Sequence, residues 1–114
     1  MSLSEDGDSG EAQRRIPPGA VVLVKNGFYE GLEVMLERVS TVIGRGRSAD
    51  LVIVEPTISR EHAEIGFDGQ GFFVRDLGST NGTQINGQRT DRQTLKDGDE
   101  IHMGRLVIEV TLPV

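Results

Sequence analysis

The sequence has no cysteine and no tryptophan, and its only aromatic residues are Phe28, Tyr29, Phe67, Phe72 and Phe73. Without cysteine there is no disulfide scaffold, Cys-ligated zinc, iron–sulfur cluster or thiol nucleophile. So few aromatic rings leave little on which to stack bases or sugars. No apolar run approaches the roughly 18 residues that span a bilayer, and no apolar signal-peptide core follows Met1. Positive charge is scarce too. The 12 Lys+Arg face 18 Asp+Glu, and the formal net charge of −6 has the wrong sign for neutralising nucleic-acid phosphates. A cytoplasmic protein with neither a nucleic-acid nor a membrane partner is expected. With 114 residues, 36% of them hydrophobic, the chain can fill one core but not a large enzyme with a buried substrate cavity.

Glycine is plentiful, at 15 residues, as a fold with many tight turns requires. Residues 1–15 are nearly devoid of apolar side chains and read as a disordered acidic tail, because they bury too little surface to offset ordering entropy. Pro17-Pro18-Gly19 punctuates the start of a domain taken as residues 16–114. Beyond it the hydrophobic period is two. Leu32, Val34 and Leu36 alternate with Glu33, Met35 and Glu37; Ala63, Ile65 and Phe67 form a second set; Leu106, Ile108, Val110 and Leu112 form a third. Strands are predicted at 20–25, 31–37, 39–43, 50–54, 60–67, 71–76, 83–86, 93–96, 99–103 and 105–112. Asn26-Gly27, Asp68-Gly69, Asn81-Gly82, Asn86-Gly87 and Asp97-Gly98 supply turns between them. The expected fold class is all-β: an antiparallel β-sandwich of about ten to eleven short strands, with the binding loops at one end.

Three loops concentrate anion-binding chemistry: Gly44-Arg45-Gly46-Arg47-Ser48-Ala49-Asp50, Thr57-Ile58-Ser59-Arg60-Glu61-His62, and Leu77-Gly78-Ser79-Thr80-Asn81-Gly82-Thr83. Guanidinium groups, hydroxyls, a side-chain amide and glycine-exposed N–H groups are the parts that hold a compact dianion. Arginines gathered in loops of an acidic protein suggest a local anion site and not a broad basic surface. Metal binding is disfavoured, because His62 and His102 lie far apart and no carboxylate cluster has ligand spacing. A nucleotide site lacks the Walker lysine, and Ser59 with His62 lacks the Gly-x-Ser-x-Gly elbow of a hydrolase. No catalytic residue, metal or cofactor is assigned.

Taken in order, Gly44-Arg45, Ser59-Arg60-Glu61-His62, Asp76 through Thr83, Asn86-Gly87 and the run from Leu95 to Gly104 resemble the forkhead-associated (FHA) domain family over about residues 20–112. That family is a β-sandwich of phosphothreonine-binding modules. The resemblance implies that Arg45, Ser59, Arg60 and Thr80 contact the phosphothreonine, Thr80 also helping to fix its γ-methyl group, and that Asn81 bonds the peptide main chain. It implies supporting roles for Gly44, His62 and Gly82, and makes Arg47, Thr57 and Asn86 candidates for reading neighbouring peptide residues. Read without the resemblance, Arg45 is a solvated loop arginine, Asn81 half of a hairpin turn, and Arg47 a partner for Asp50.

The function so implied is non-catalytic, phosphothreonine-dependent binding in Ser/Thr kinase signalling. Its partners are a threonine-phosphorylated protein or peptide and a Ser/Thr kinase or its substrates, met by a monomeric domain. The competing reading is a degenerate scaffold that associates without phosphate. The first threonine is Thr41, so no self-inhibition through a phosphothreonine in residues 1–15 is expected.

Overall fold

The computed structural model describes residues 16–113, and the expected N-terminal tail lies outside them. Among the described residues there are eleven strands and no helix, hence none long and apolar enough to cross a membrane. They are β1 (Val21–Val24), β2 (Glu33–Met35), β3 (Ser40–Gly44), β4 (Leu51–Val52), β5 (Ala63–Phe67), β6 (Phe72–Asp76), β7 (Thr83–Ile85), β8 (Gln88–Arg89), β9 (Arg92–Thr94), β10 (Glu100–Met103) and β11 (Leu106–Thr111). Two sheets form, in the orders β2-β1-β11-β10-β7-β8 and β4-β3-β5-β6-β9.

The period-two pattern is what lets these sheets face each other. In β11, Leu106, Ile108 and Val110 are buried, whereas Val107 and Glu109 between them are half-buried. Val22 and Val24 of β1, Ile101 and Met103 of β10, and Ile108 meet Ile43, Ile65 and Val74 from the opposing sheet in one core cluster. Each such side chain contributes about 1.5–3 kcal/mol of transfer free energy when fully buried.

Several expected strands differ in length, and the reasons are local. The predicted strand 31–37 contracts to the edge strand β2, because within that segment Leu32 and Met35 are exposed and Leu36 alone is fully buried. β8 was not anticipated, because Gln88 and Arg89 are both exposed and show no apolar alternation. Its register comes from the turn. Asn86 and Gly87 take φ of 50° and 88°, the geometry of a two-residue hairpin, and pair Ile85 with Gln88. The sandwich is also not wholly antiparallel. β3 and β4 pair in parallel, Ile43 with Leu51 and Gly44 with Val52, because residues 45–50 double back beside β3 and Asp50 N–H donates to the Val42 carbonyl.

Register sets where the loops emerge. Ile43 pairs with Ala63, Ala63 with Asp76, Met103 with Thr83, and Met103 with Leu106. The end of β3, the start of β5, the end of β6, the start of β7 and the β10–β11 turn therefore share one end of the sandwich. Ile108→Ala, at a fully buried position, is expected to cost about 2–5 kcal/mol through lost transfer energy and a residual cavity, measured as a lower urea midpoint at unchanged slope.

Candidate functional site

The loop after β3 lies directly on the backbone before β5. A Cβ on Gly44 would sit 2.0 Å from the Arg60 carbonyl oxygen, so only glycine permits the approach. Arg45 N–H donates to the Ser59 carbonyl and Gly46 N–H to the Arg60 carbonyl, both at 3.0 Å. The Arg45 side chain is then aimed by its own Nε, which donates to the Ile58 carbonyl at 2.9 Å. That bond leaves both terminal guanidinium nitrogens at the exposed surface for an anion.

His62, with no exposed surface, joins this pair of loops to the third. Ser59 N–H donates to its Nδ1 at 3.0 Å, so the proton resides on Nε2, which donates to the Gly82 carbonyl at 2.8 Å. Both ring nitrogens are thereby occupied, and neither is free to take a proton from the Ser59 hydroxyl. Ser59 Oγ accepts Thr80 N–H at 3.1 Å and keeps its own proton to donate outward. Asn81 Nδ2 donates to the Thr57 carbonyl at 2.7 Å, leaving its Oδ1 and second N–H for a ligand.

The third loop has its own anchor in Asp76. Its Oδ2 accepts Gly78 N–H and Ser79 N–H, each at 3.0 Å; its Oδ1 accepts the Ser79 hydroxyl at 2.6 Å and the Thr83 hydroxyl at 2.8 Å. Ser79 Oγ in turn accepts Gly82 N–H at 2.8 Å. Burial opposes the Asp76 charge, but the hydrogen bonds from Ser79, Thr83 and Gly78 outweigh it and hold the carboxyl below its ordinary range.

Thr57 belongs to the scaffold through its side chain. Its hydroxyl donates to Glu55 and accepts Arg105 N–H at 2.8 Å, and a Cβ on Gly104 would come within 2.4 Å of that hydroxyl. The hydroxyl and amide of Thr57 hold the Glu55 carboxyl below its usual range, burial opposing and Arg105 assisting.

The structure thus brings Gly44, Arg45, Thr57, Ser59, Arg60, His62, Thr80, Asn81 and Gly82 onto hydrogen-bonded loops at one end. Arg47 stands exposed on the first of them; its expected partner Asp50 bonds Arg38 instead, at 3.2 Å, and caps Val42 N–H. Asn86 is not brought to this cluster. Its side chain bonds the Asp99 carboxylate and Glu100 N–H, each at 2.9 Å, beyond the far end of β7. Sequence reasoning assigned no role to Asp76, Ser79, Glu55 or Arg105. The Asp76–Ser79 spacing does carry the signal of an Asx turn, whereas Arg105 reaches Thr57 across 48 residues and leaves no local trace. Among the described residues no group of three His, Cys, Asp or Glu is placed to hold a metal ion.

Asp76→Ala removes the acceptor for four loop donors, and a loss of about 2–3 kcal/mol is expected from leaving them unpaired, with faster amide exchange at Gly78 and Ser79. Because the Asp76 pKa is lowered on folding, its contribution is fully present above its ordinary value of 3.8 and is lost only as pH falls through the lower folded value. An unfolding midpoint that drops more steeply with acidification below about pH 4 in wild type than in Asp76→Ala, where Glu55 still contributes a slope of its own, checks this sign.

The family model for the FHA domain matches residues 41–104. The glycogen accumulation regulator GarA of Mycobacterium tuberculosis is 37% identical over 91 residues, covering 79% of this chain and 56% of that protein. An oxoglutarate dehydrogenase inhibitor of Corynebacterium efficiens is 37% identical over 106 residues, covering 92% of this chain and 75% of its own. The chain spans little more than half the length of the first of these. A structure solved in a study of phosphothreonine-dependent FHA domain interactions superposes with a TM-score of 0.78 at 34% identity, covering 86% of this chain and 99% of that one. With the family model matching more than half its length, and a sandwich that superposes on a solved FHA domain, the chain belongs to the FHA domain family.

Proposed function

We propose that residues 16–114 form a module that binds proteins phosphorylated on threonine by Ser/Thr kinases, in the cytoplasm and as a monomer, and releases them unchanged. The observation that carries this reading is the pairing of Arg45 with Ser59 on loops held in contact by backbone hydrogen bonds. Arg45 would donate from both terminal nitrogens, and the Ser59 hydroxyl, fixed by Thr80 N–H, would donate to another phosphate oxygen. Arg60 and the Thr80 hydroxyl would complete the phosphate contacts, and Asn81 would bond the peptide main chain. Membership of the FHA family, the solved phosphothreonine-dependent relative and the regulator names of its relatives support binding without catalysis. The occupied nitrogens of His62 support it too, since they leave Ser59 without a base.

The physical basis of the switch is charge and acceptor count. A phosphothreonine brings about −1.5 to −2 charges and three acceptor oxygens. An unmodified threonine brings neither, and the donors of Arg45 and Ser59 then stay with water. The γ-methyl group, absent from phosphoserine, is worth about 1–3 kcal/mol in a fitted site.

Titration calorimetry with phosphothreonine, phosphoserine and unmodified peptide pools tests the proposal. Saturable binding is expected with phosphothreonine, about tenfold weaker binding with phosphoserine, and none with the unmodified pool. Arg45→Ala is expected to abolish binding while the unfolding midpoint stays near that of wild type. Association that survives Arg45→Ala, or that ignores phosphate, would establish the scaffold reading instead. Affinity is further expected to fall as pH drops through about 6, where the phosphate takes up its second proton. Asp76 and Glu55 stay ionised through that range because their pKa values are lowered. The unfolding midpoint of the free domain over the same pH range separates titration of the protein from titration of the ligand.

A further inference from the structure

We infer that Arg89, on edge strand β8, forms a carboxylate subsite beside Asn81, so that the domain selects phosphothreonine peptides carrying Asp or Glu at one flanking position. The inference rests on the phosphothreonine reading above and concerns which of those peptides are preferred.

The position of the guanidinium is the first observation. Arg89 pairs with Gln84 across the β7–β8 hairpin, which puts its side chain on the outward face that Gln84 also shares. From there it reaches back diagonally to the start of β7. Its Cζ lies 2.7 Å, and its Nε and Nη2 each 2.9 Å, from the point that a Cβ on Gly82 would occupy. The charged plane therefore rests against the Gly82 backbone, in space that any other residue type would fill. Gly82 follows Asn81, the residue placed to bond the peptide main chain. A guanidinium resting there is already near the ligand path and has less freedom to lose on binding.

Charge pairing is the second observation. Although the protein is acidic overall, its arginines divide sharply among the described residues. Arg38, Arg75, Arg92 and Arg105 each lie within 3.8 Å of a carboxylate. Arg45, Arg47, Arg60 and Arg89 have no such partner. The first three belong to the loops of the proposed phosphate site. Arg89 comes from a different element, yet it reaches the same loops and is likewise unmatched.

The chemistry favours a carboxylate over a second phosphate. A lone planar guanidinium can bond both oxygens of a carboxylate with two parallel N–H groups. A phosphate dianion needs more donors than one fork, such as the hydroxyl and arginine together on the Arg45–Ser59 side.

The test uses phosphothreonine peptides carrying Asp or Asn in turn at each flanking position, titrated against wild type, Arg89→Ala and Arg89→Glu. Wild type is expected to bind the Asp peptide about three- to fivefold tighter than its Asn counterpart at one position or two adjacent ones, as for an exposed ion pair. Raising the salt concentration should shrink that ratio. Arg89→Ala should bring the ratio to one while binding the Asn peptide as wild type does, and Arg89→Glu should reverse it. Arg89 is exposed at a sheet edge, and an unchanged unfolding midpoint of each variant checks that the fold is intact. Equal binding of Asp and Asn peptides at every position in wild type, or a ratio that persists in Arg89→Ala, overturns the inference. Either result with phosphothreonine binding intact leaves the parent reading standing. Absence of phosphothreonine binding in wild type overturns both.

Discussion

Ser59 N–H and the Gly82 carbonyl lie 23 residues apart in sequence, and the buried imidazole of His62 spans them with one nitrogen each. Because one bond accepts and the other donates, the ring is held as a single neutral tautomer. The two loops then keep a constant spacing. Thr80 N–H reaches Ser59 Oγ, and Asn81 reaches the Thr57 carbonyl, only at that spacing. The surface that Arg45, Ser59, Thr80 and Asn81 present together is thus a consequence of a side chain that itself never meets solvent.

Elsewhere the recognition end obeys the same rule, that irregular backbone must find its hydrogen bonds within the loops or in water. Asp76 satisfies the 77–83 loop from one side, and Glu55 with Thr57 satisfies the second loop from the other. Asp76 and Glu55 are therefore already used internally. Arg45, Arg47 and Arg60, the cations of the proposed phosphate site, lie within ion-pair distance of no carboxylate among the described residues. An acidic protein in this way keeps unpaired arginines at one end of its sandwich. In the proposed site, specificity for an anion would come from which carboxylates are committed to structure, more than from the total charge.

Much of the sandwich was legible because a period of two leaves only one way to bury Leu106, Ile108 and Val110 together. The loops that carry the site were legible for a different reason. Arginine, hydroxyl and glycine residues gather in them, and Gly44-Arg45, Ser59 to His62 and the Asp76–Thr83 run together resemble the FHA family's motifs. What escaped detection had no apolar signature. β8 is two exposed residues held by a turn. The side chains of Thr57 and Asn86 face demands that the local sequence does not reveal, one from Arg105 and the other from Asp99.

The sequence by itself determined the fold class, the loops that hold the donors and the absence of thiol chemistry, since each follows from residue type and short-range spacing. Only the tertiary structure decided which polar groups are spent on the scaffold and which remain for a ligand. Thr57 is consumed by Glu55 and Arg105, Asp50 turns to Arg38 instead of Arg47, and Arg89 arrives at Gly82 from a strand outside the motif. Hydrogen bonds and ion pairs act over a few ångströms in space, and sheet register alone sets which distant residues come that close.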